Sequence, residues 1–219
     1  MNDKKKPLTV FDCDDVLLNL NEAVYPYLGL PNPTSFKYRI SDQYTQSQVD
    51  DITRLYGDPE TFRRAEFAKG ADKILDLEDY GTDVRICTRS FNEGVESVKR
   101  VILPEHTHIS LDHIEFQIGL GHEKLLPDKA DIMVEDCLDN LLKLPQPVIR
   151  ILINKSHNQE STAFDFYNRI YRFKDLVDAL EFIKHVLSSG LIYNYSWRRA
   201  DFMSHPIPGI PFERYKQCL

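Results

Sequence analysis

The sequence lacks several features that would assign it to a specialised class of protein. Its apolar runs are shorter than the roughly 18–20 residues of a membrane-spanning helix. The charged N-terminal residues are followed by no apolar h-region, because Asp12 and Asp14 come too soon. We therefore expect neither a membrane span nor a cleaved signal peptide. The four cysteines show no CxxC spacing, which argues against a zinc site or a disulfide framework and favours a reducing, cytoplasmic compartment.

Positively charged residues are fewer than negatively charged ones. The 219 residues carry 27 Lys and Arg against 34 Asp and Glu, a formal net charge of -7, whereas nucleic-acid-binding surfaces are usually basic. We expect no nucleic-acid polymer as a partner, although a local basic pocket could still bind a small anion. This length suits one large domain, or one domain with a modest insertion.

The sequence does contain short apolar segments that alternate with amphipathic helical segments. This alternation predicts an α/β fold with a largely parallel sheet covered on both faces. The predicted strands are Leu8–Asp12, Asp83–Thr88, Ile114–Ile118, Ile132–Glu135 and Val148–Ile153. The predicted helices are Asn92–Val101, Leu138–Leu144 and Lys174–Leu187.

A long segment separates the first two predicted strands. It is too long for a simple crossover, and helical patterns cover 47–56 and 58–68, with many aromatic residues. We interpret residues 19–80 as a small helical cap. The predicted organisation is then a core of 1–18 and 81–187, the cap, and a C-terminal extension over 188–219.

The first predicted strand ends in Asp12, Asp14 and the adjacent Asp15. Carboxylates clustered at a strand end repel one another and are costly to bury, and a hard divalent cation with a preference for oxygen ligands offsets that cost. Thr88 and Asp136 also fall at or just past predicted strand ends. In open α/β sheets the carboxyl ends of the strands form the ligand site, so we expect these residues at one rim.

Four segments resemble, in order, the motifs of the haloacid dehalogenase superfamily. They are Asp12-Cys-Asp-Asp-Val (motif I), Ile86-Cys-Thr-Arg (motif II), Lys124 (motif III) and Ile132-Met-Val-Glu-Asp (motif IV). The resemblance covers roughly residues 7–187 and is greatest to the 5′(3′)-deoxyribonucleotidase group. It implies a three-layer Rossmannoid core with a parallel sheet and a small helical cap inserted after the first strand.

The resemblance also implies catalytic and metal-binding roles. Asp12 would be the nucleophile that forms an aspartyl-phosphate, and Asp14 the general acid and base. Mg²⁺ would be the cofactor, held by Asp12, the Asp14 backbone carbonyl and Asp136, with Glu135 as a further ligand.

Further residues would bind the substrate in this resemblance. Thr88 and Lys124 would bind the phosphate, with Lys129 as the alternative motif III lysine, and Arg89 could reach a phosphate or a nucleotide edge. Among the aromatic residues of the cap, those that could stack on a base are Phe36, Tyr44 and Phe62.

These residues together predict a Mg²⁺-dependent phosphomonoester hydrolase. The expected partner is a small phosphorylated substrate, a nucleoside monophosphate in the leading interpretation. Two alternatives remain open: a phosphatase, phosphotransferase or mutase for another small metabolite, and a catalytically weak nucleotide-binding protein. The oligomeric state is also open, with a homodimer as the working expectation.

Overall fold

The structure is a computed structural model that describes residues 6–34, 43–119, 129–144, 148–159, 170–190 and 192. Within these ranges one six-stranded sheet forms, and every neighbouring pair of its strands is parallel. The strands are β1 (Leu8–Phe11), β2 (Asp83–Ser90), β3 (Ile114–Ile118), β4 (Ile132–Glu135), β5 (Ile149–Ile153) and β6 (Ile170–Phe173). Their order is β3-β2-β1-β4-β5-β6, which puts β1 in the interior of the sheet.

Helices cover both faces of the sheet. They are α1 (Leu20–Val24), α2 (Gln46–Tyr56), α3 (Pro59–Arg64), α4 (Glu93–Thr107), α5 (Leu138–Lys143) and α6 (Leu176–Ser188). Short 3-10 helices span Pro26–Leu28, Ala71–Tyr80, Leu111–His113 and Ser156–Asn158.

Two hydrophobic clusters pack against the sheet. One joins Phe11 to residues of α4 and α6, and the other joins Val10 and Met133 to residues of α5. Because Val10 and Phe11 are consecutive in β1, their side chains point to opposite faces of the sheet. The predicted three-layer α/β fold with a parallel sheet is confirmed.

The segment between β1 and β2 is helical, as its pattern predicts. Thr45 and Gln48 form a capping box at the start of α2, and Asp58 accepts a hydrogen bond from Glu60 N at the start of α3. The helix α3 ends at Arg64, whereas the predicted helix continued to residue 68, because the backbone of Ala65 is extended. The chain then pairs Phe67 with Leu18.

This β1–β2 connection packs against the sheet. Its buried residues Ile52, Leu55 and Phe62 belong to the same hydrophobic cluster as Phe11. Asn92 caps α4 and also donates from Nδ2 to the carbonyl of Gly57 in the connection, at 2.9 Å. The division into core, cap and extension stays a prediction.

Several elements differ from their predicted bounds. The strand β2 continues past Thr88 to Ser90, and α4 continues to Thr107. The latter helix accommodates Pro104 at the cost of one backbone hydrogen bond. The strand β6 was not predicted, because its four residues carry too little pattern. Among the described helices, none has the length and apolar character to cross a membrane.

Candidate active site

Three carboxylates meet at the carboxyl ends of β1 and β4. Asp12 follows β1, and its backbone N–H donates to the carbonyl of Val134 at 2.9 Å, so the two strands end side by side. Asp12, Glu135 and Asp136 are all buried, and each offers a carboxylate oxygen within 4.8 Å of the others. The structure therefore brings together Asp12 and Asp136, which we expected at one rim of the sheet.

Hydrogen bonds hold two of these carboxylates in place. Asp12 Oδ1 accepts from the backbone N–H of Cys13 at 2.7 Å. Glu135 accepts from Asn140 Nδ2 at 2.9 Å on one oxygen and from Cys137 N at 3.3 Å on the other. Cys13 and Cys137 follow the two strands, and Asn140 lies in the first turn of α5, so each carboxylate is oriented by the segment after its own strand.

Asp136 is oriented by the turn after β5. His157 Nε2 lies 2.8 Å from Asp136 Oδ2, and Asn158 Nδ2 donates to the Asp136 carbonyl at 2.7 Å and to the Ile153 carbonyl at 2.8 Å. Burial alone would lower the pKa of His157, but the hydrogen bond and the charge of Asp136 outweigh it and raise that pKa.

A tight turn follows Asp12 and contains Asp14 and Asp15. Asp15 has a φ of 58°, a left-handed conformation that Asp adopts more readily than most residues, and its Oδ1 accepts from Asn21 N at 3.0 Å. Burial raises the pKa of Asp15, and the nearby charge of Asp136 raises it further.

A lysine that was not among the predicted site residues lies at the centre of this edge. Lys99 is fully buried on α4, and its ammonium donates to Asp14 Oδ2 at 2.8 Å and to Thr88 Oγ1 and the Arg89 carbonyl at 2.9 Å each. Burial is the largest single effect on Lys99 and lowers its pKa, but the charges around it and the hydrogen bond to Asp14 together outweigh burial, so the pKa is raised and the ammonium stays protonated. The structure therefore places a fixed positive charge beside the carboxylates.

The predicted substrate-binding residues lie in different settings. Thr88 is buried against Lys99, while Arg89 contributes its carbonyl oxygen there. Phe62 is 3% exposed, and its ring centroid is 5.0 Å from the Lys99 ammonium nitrogen. Tyr44 donates from its hydroxyl to the Pro31 carbonyl at 2.7 Å.

Some predictions are not tested by these contacts. Lys124 and Phe36 lie outside the described residues, and Lys129 is exposed. The phosphate-binding role of Arg89 and the base-stacking roles of Tyr44 and Phe62 stay predictions.

The sequence did contain a signal for Lys99. Val95, Lys99 and Leu103 are spaced four residues apart, and Val95 and Leu103 are buried on the inner face of α4. A lysine in line with that apolar stripe starts on the buried face of the helix, and Lys is almost never fully buried unless it is paired. His157 lies in a turn, where no periodic pattern of apolar residues indicated that it is buried.

The donor set suits a hard divalent cation. Three buried carboxylates within reach of one another are electrostatically unfavourable alone, and Mg²⁺ prefers such oxygen ligands. Asp12, Glu135 and Asp136 are the side chains that would hold it.

Comparisons with known proteins bear on the fold. A haloacid dehalogenase-like family hydrolase from Streptococcus pneumoniae shares 15% sequence identity with this chain, with a TM-score of 0.51, over 81% of this chain and 98% of its own. A hydrolase from Pseudomonas syringae shares 12% identity, with a TM-score of 0.47, over 83% of this chain and 99% of its own. No protein-family model and no curated protein sequence matches the chain. The chain therefore has a fold similar to that of the hydrolase from Streptococcus pneumoniae.

Proposed function

We propose that this protein is a Mg²⁺-dependent phosphomonoester hydrolase that acts through an aspartyl-phosphate on Asp12. The observation that carries the proposal is the pairing of two unlike carboxylates: Asp12 lies in a buried cluster with two other acids, and Asp14, two residues later, is bound to a buried lysine. These surroundings suit two separate tasks: the acids around Asp12 can hold a metal ion beside the nucleophile, and Lys99 fixes the position of Asp14.

The first half of the reaction is transfer of the phosphoryl group to Asp12. A carboxylate oxygen of Asp12 attacks phosphorus while the bond to the leaving oxygen breaks. Asp14 gives its proton to that oxygen, which leaves as an alcohol.

The second half is hydrolysis. Asp14, now deprotonated, takes a proton from a water molecule whose oxygen attacks phosphorus. The bond to Asp12 breaks, phosphate leaves, and both carboxylates return to their starting forms. When bound at Asp12, Glu135 and Asp136, Mg²⁺ supplies positive charge that offsets the negative charge of the phosphoryl group.

We further propose a nucleoside monophosphate as the substrate, within the 5′(3′)-deoxyribonucleotidase group. Support comes from the resemblance of the motifs and from the helical β1–β2 connection, whose Phe62 reaches the catalytic edge. A connection that closes over the site as a cap would favour small substrates and exclude water. The cytoplasmic location and the homodimer stay predictions.

The test is phosphate release from a panel of nucleoside monophosphates and sugar phosphates, in Mg²⁺ and in EDTA. The panel is run with the wild type, with Asp12→Asn and with Asp139→Asn, a control that removes an exposed carboxylate from the first turn of α5. We expect metal-dependent release, preference for deoxynucleoside monophosphates, loss in Asp12→Asn and full retention in the control.

Other results would change the proposal in defined ways. Release from sugar phosphates alone would keep the mechanism and discard the nucleotide. Transfer to an added acceptor without net phosphate release would identify a phosphotransferase or mutase. Tight nucleotide binding without turnover in any metal would identify a binding protein.

A further inference from the structure

We propose that Lys99 is a positioning residue that holds Asp14 by one carboxylate oxygen, Oδ2, and thereby leaves the other oxygen, Oδ1, to act on the substrate. This inference rests on the proposed phosphomonoester hydrolase activity and adds to it a residue and an atom. The family resemblance of the sequence did not assign any role to Lys99.

The position of the ammonium is set by β2. Two of its three protons go to Thr88 Oγ1 and the Arg89 carbonyl, both at 2.9 Å, and both acceptors lie near the end of a strand that pairs with β1. The long side chain is fully buried, so little of its usual rotamer freedom remains. The nitrogen is therefore a fixed point relative to the end of β1.

The third proton goes to Asp14 Oδ2, at 2.8 Å. An ammonium donates hydrogen bonds and cannot accept one, so Oδ2 accepts from Lys99 and Oδ1 is the oxygen left for a substrate. Among the described residues, Oδ1 is a buried oxygen with no hydrogen-bond partner. Buried polar atoms without partners are rare, and a contact with bound substrate would explain this one.

Direct binding of the phosphoryl group by Lys99 fits the contacts less well. All three of its protons already have acceptors within 2.9 Å, so a contact to phosphate would require one of these bonds to break. The ring of Phe62 lies 5.0 Å from the same nitrogen and covers it further. A role exerted through Asp14 leaves all these contacts intact.

The test compares two phosphate esters that differ in their need for an acid. Phenyl phosphate releases a strongly basic oxygen that must be protonated, whereas p-nitrophenyl phosphate releases a much weaker base. The ratio kcat/KM is measured for both esters in the wild type, Lys99→Met, Lys99→Gln and Asp14→Asn. Arg100→Met is the matched control, because Arg100 is the next residue of α4 but is exposed and pairs with Glu96.

We expect Lys99→Met to lose about 10²-fold or more in kcat/KM with phenyl phosphate, the range in which a general acid contributes. With p-nitrophenyl phosphate, which needs no acid, the loss should be less than about tenfold. Asp14→Asn should show the same selectivity, and adding Lys99→Met to it should increase that selectivity no further. Arg100→Met should leave both ratios unchanged.

Each other outcome overturns the proposal. Equal losses with both esters, in a wild type that does release phosphate, would make Lys99 merely structural and leave the proposed function intact. No release from either ester or from the nucleotide panel by the wild type would refute the proposed function and this inference with it. If Lys99→Met is unfolded by circular dichroism, Lys99→Gln carries the comparison; unfolding of both would identify a structural residue.

Discussion

Asp12 and Asp14 are two residues apart and lie in opposite electrostatic surroundings. Asp12 shares a buried cluster with Glu135 and Asp136, whereas Asp14 shares a hydrogen bond with a fully buried ammonium. We refer to the first set as the acidic half of the site and to Asp14, Lys99 and Thr88 as the cationic half. The acidic half gains stability from an added cation, and the cationic half already contains one.

The two halves are also built from different parts of the chain. The acidic half comes from the ends of β1 and β4, so adjacent parallel strands suffice to assemble it. The cationic half depends on α4, which must pack against the sheet before Lys99 can reach Asp14. A substitution in one half should thus alter different properties from a substitution in the other.

The largest expected effect is on activity in the acidic half. Asp12→Asn removes the nucleophile, and we expect phosphate release to fall by at least about 10³-fold, as happens when one member of a catalytic unit is lost. The measurement is initial-rate phosphate release in Mg²⁺. Release within tenfold of the wild type would mean that Asp12 does not form the covalent intermediate.

The second-largest expected effect is the stabilisation of the protein by Mg²⁺, which substitutions in the two halves should change differently. Mg²⁺ at 100 times its dissociation constant should stabilise the wild type by about 2.7 kcal/mol, while Asp12→Asn and Asp136→Asn should lose most of this gain. Lys99→Met, in the cationic half, should keep it. The check is the thermal midpoint with and without Mg²⁺, and an equal metal response in all four proteins would contradict the assignment of the acidic half.

The difference between the halves also explains what the sequence could predict. The end of β1, with Asp12 and Asp14, stood out because a buried apolar strand stopping at carboxylates is rare. Lys99 was missed because a single lysine in an amphipathic helix is usually solvated, and its partner is 85 residues away in the chain. The short strand β6 was missed because pairing with β5, rather than local pattern, holds it.

Isosteric substitutions should have opposite effects on stability in metal-free protein. Asp12→Asn relieves repulsion among three carboxylates and should stabilise by about 1 kcal/mol, or about 2–4 °C in midpoint. Asp14→Asn leaves the Lys99 ammonium without its anionic partner and should destabilise by about 1–3 kcal/mol, less than for a fully buried pair because the Asp14 side chain is 30% exposed. Both are measured by denaturant unfolding in EDTA, and shifts of equal sign would refute the comparison.

A smaller effect is expected from the residue behind the acidic half. His157 lies against Asp136 Oδ2, and loss of such an orienting partner commonly weakens metal affinity by about 10–100-fold. We expect His157→Gln to raise the Mg²⁺ dissociation constant by that range, measured by calorimetric titration. The control His113→Gln changes a partly exposed residue of a surface turn and should leave the constant unchanged. Equal constants in all three proteins would show that His157 does not orient a metal ligand.

The smallest expected effect probes the cationic half alone. Phe62→Leu removes the ring beside the Lys99 ammonium, a contact worth about 1 kcal/mol together with some packing. We expect a loss of about 1–2 kcal/mol in unfolding free energy. We also expect kcat/KM to decrease a few-fold, because a less firmly held Lys99 holds Asp14 less firmly. This decrease should be greater for phenyl phosphate than for p-nitrophenyl phosphate. The Mg²⁺ dissociation constant should not change. Tyr27→Leu, at a side chain that is 63% exposed, controls for loss of an aromatic ring. A change in Mg²⁺ affinity in Phe62→Leu would contradict the independence of the two halves. It would show that the β1–β2 connection, which carries Phe62, couples them.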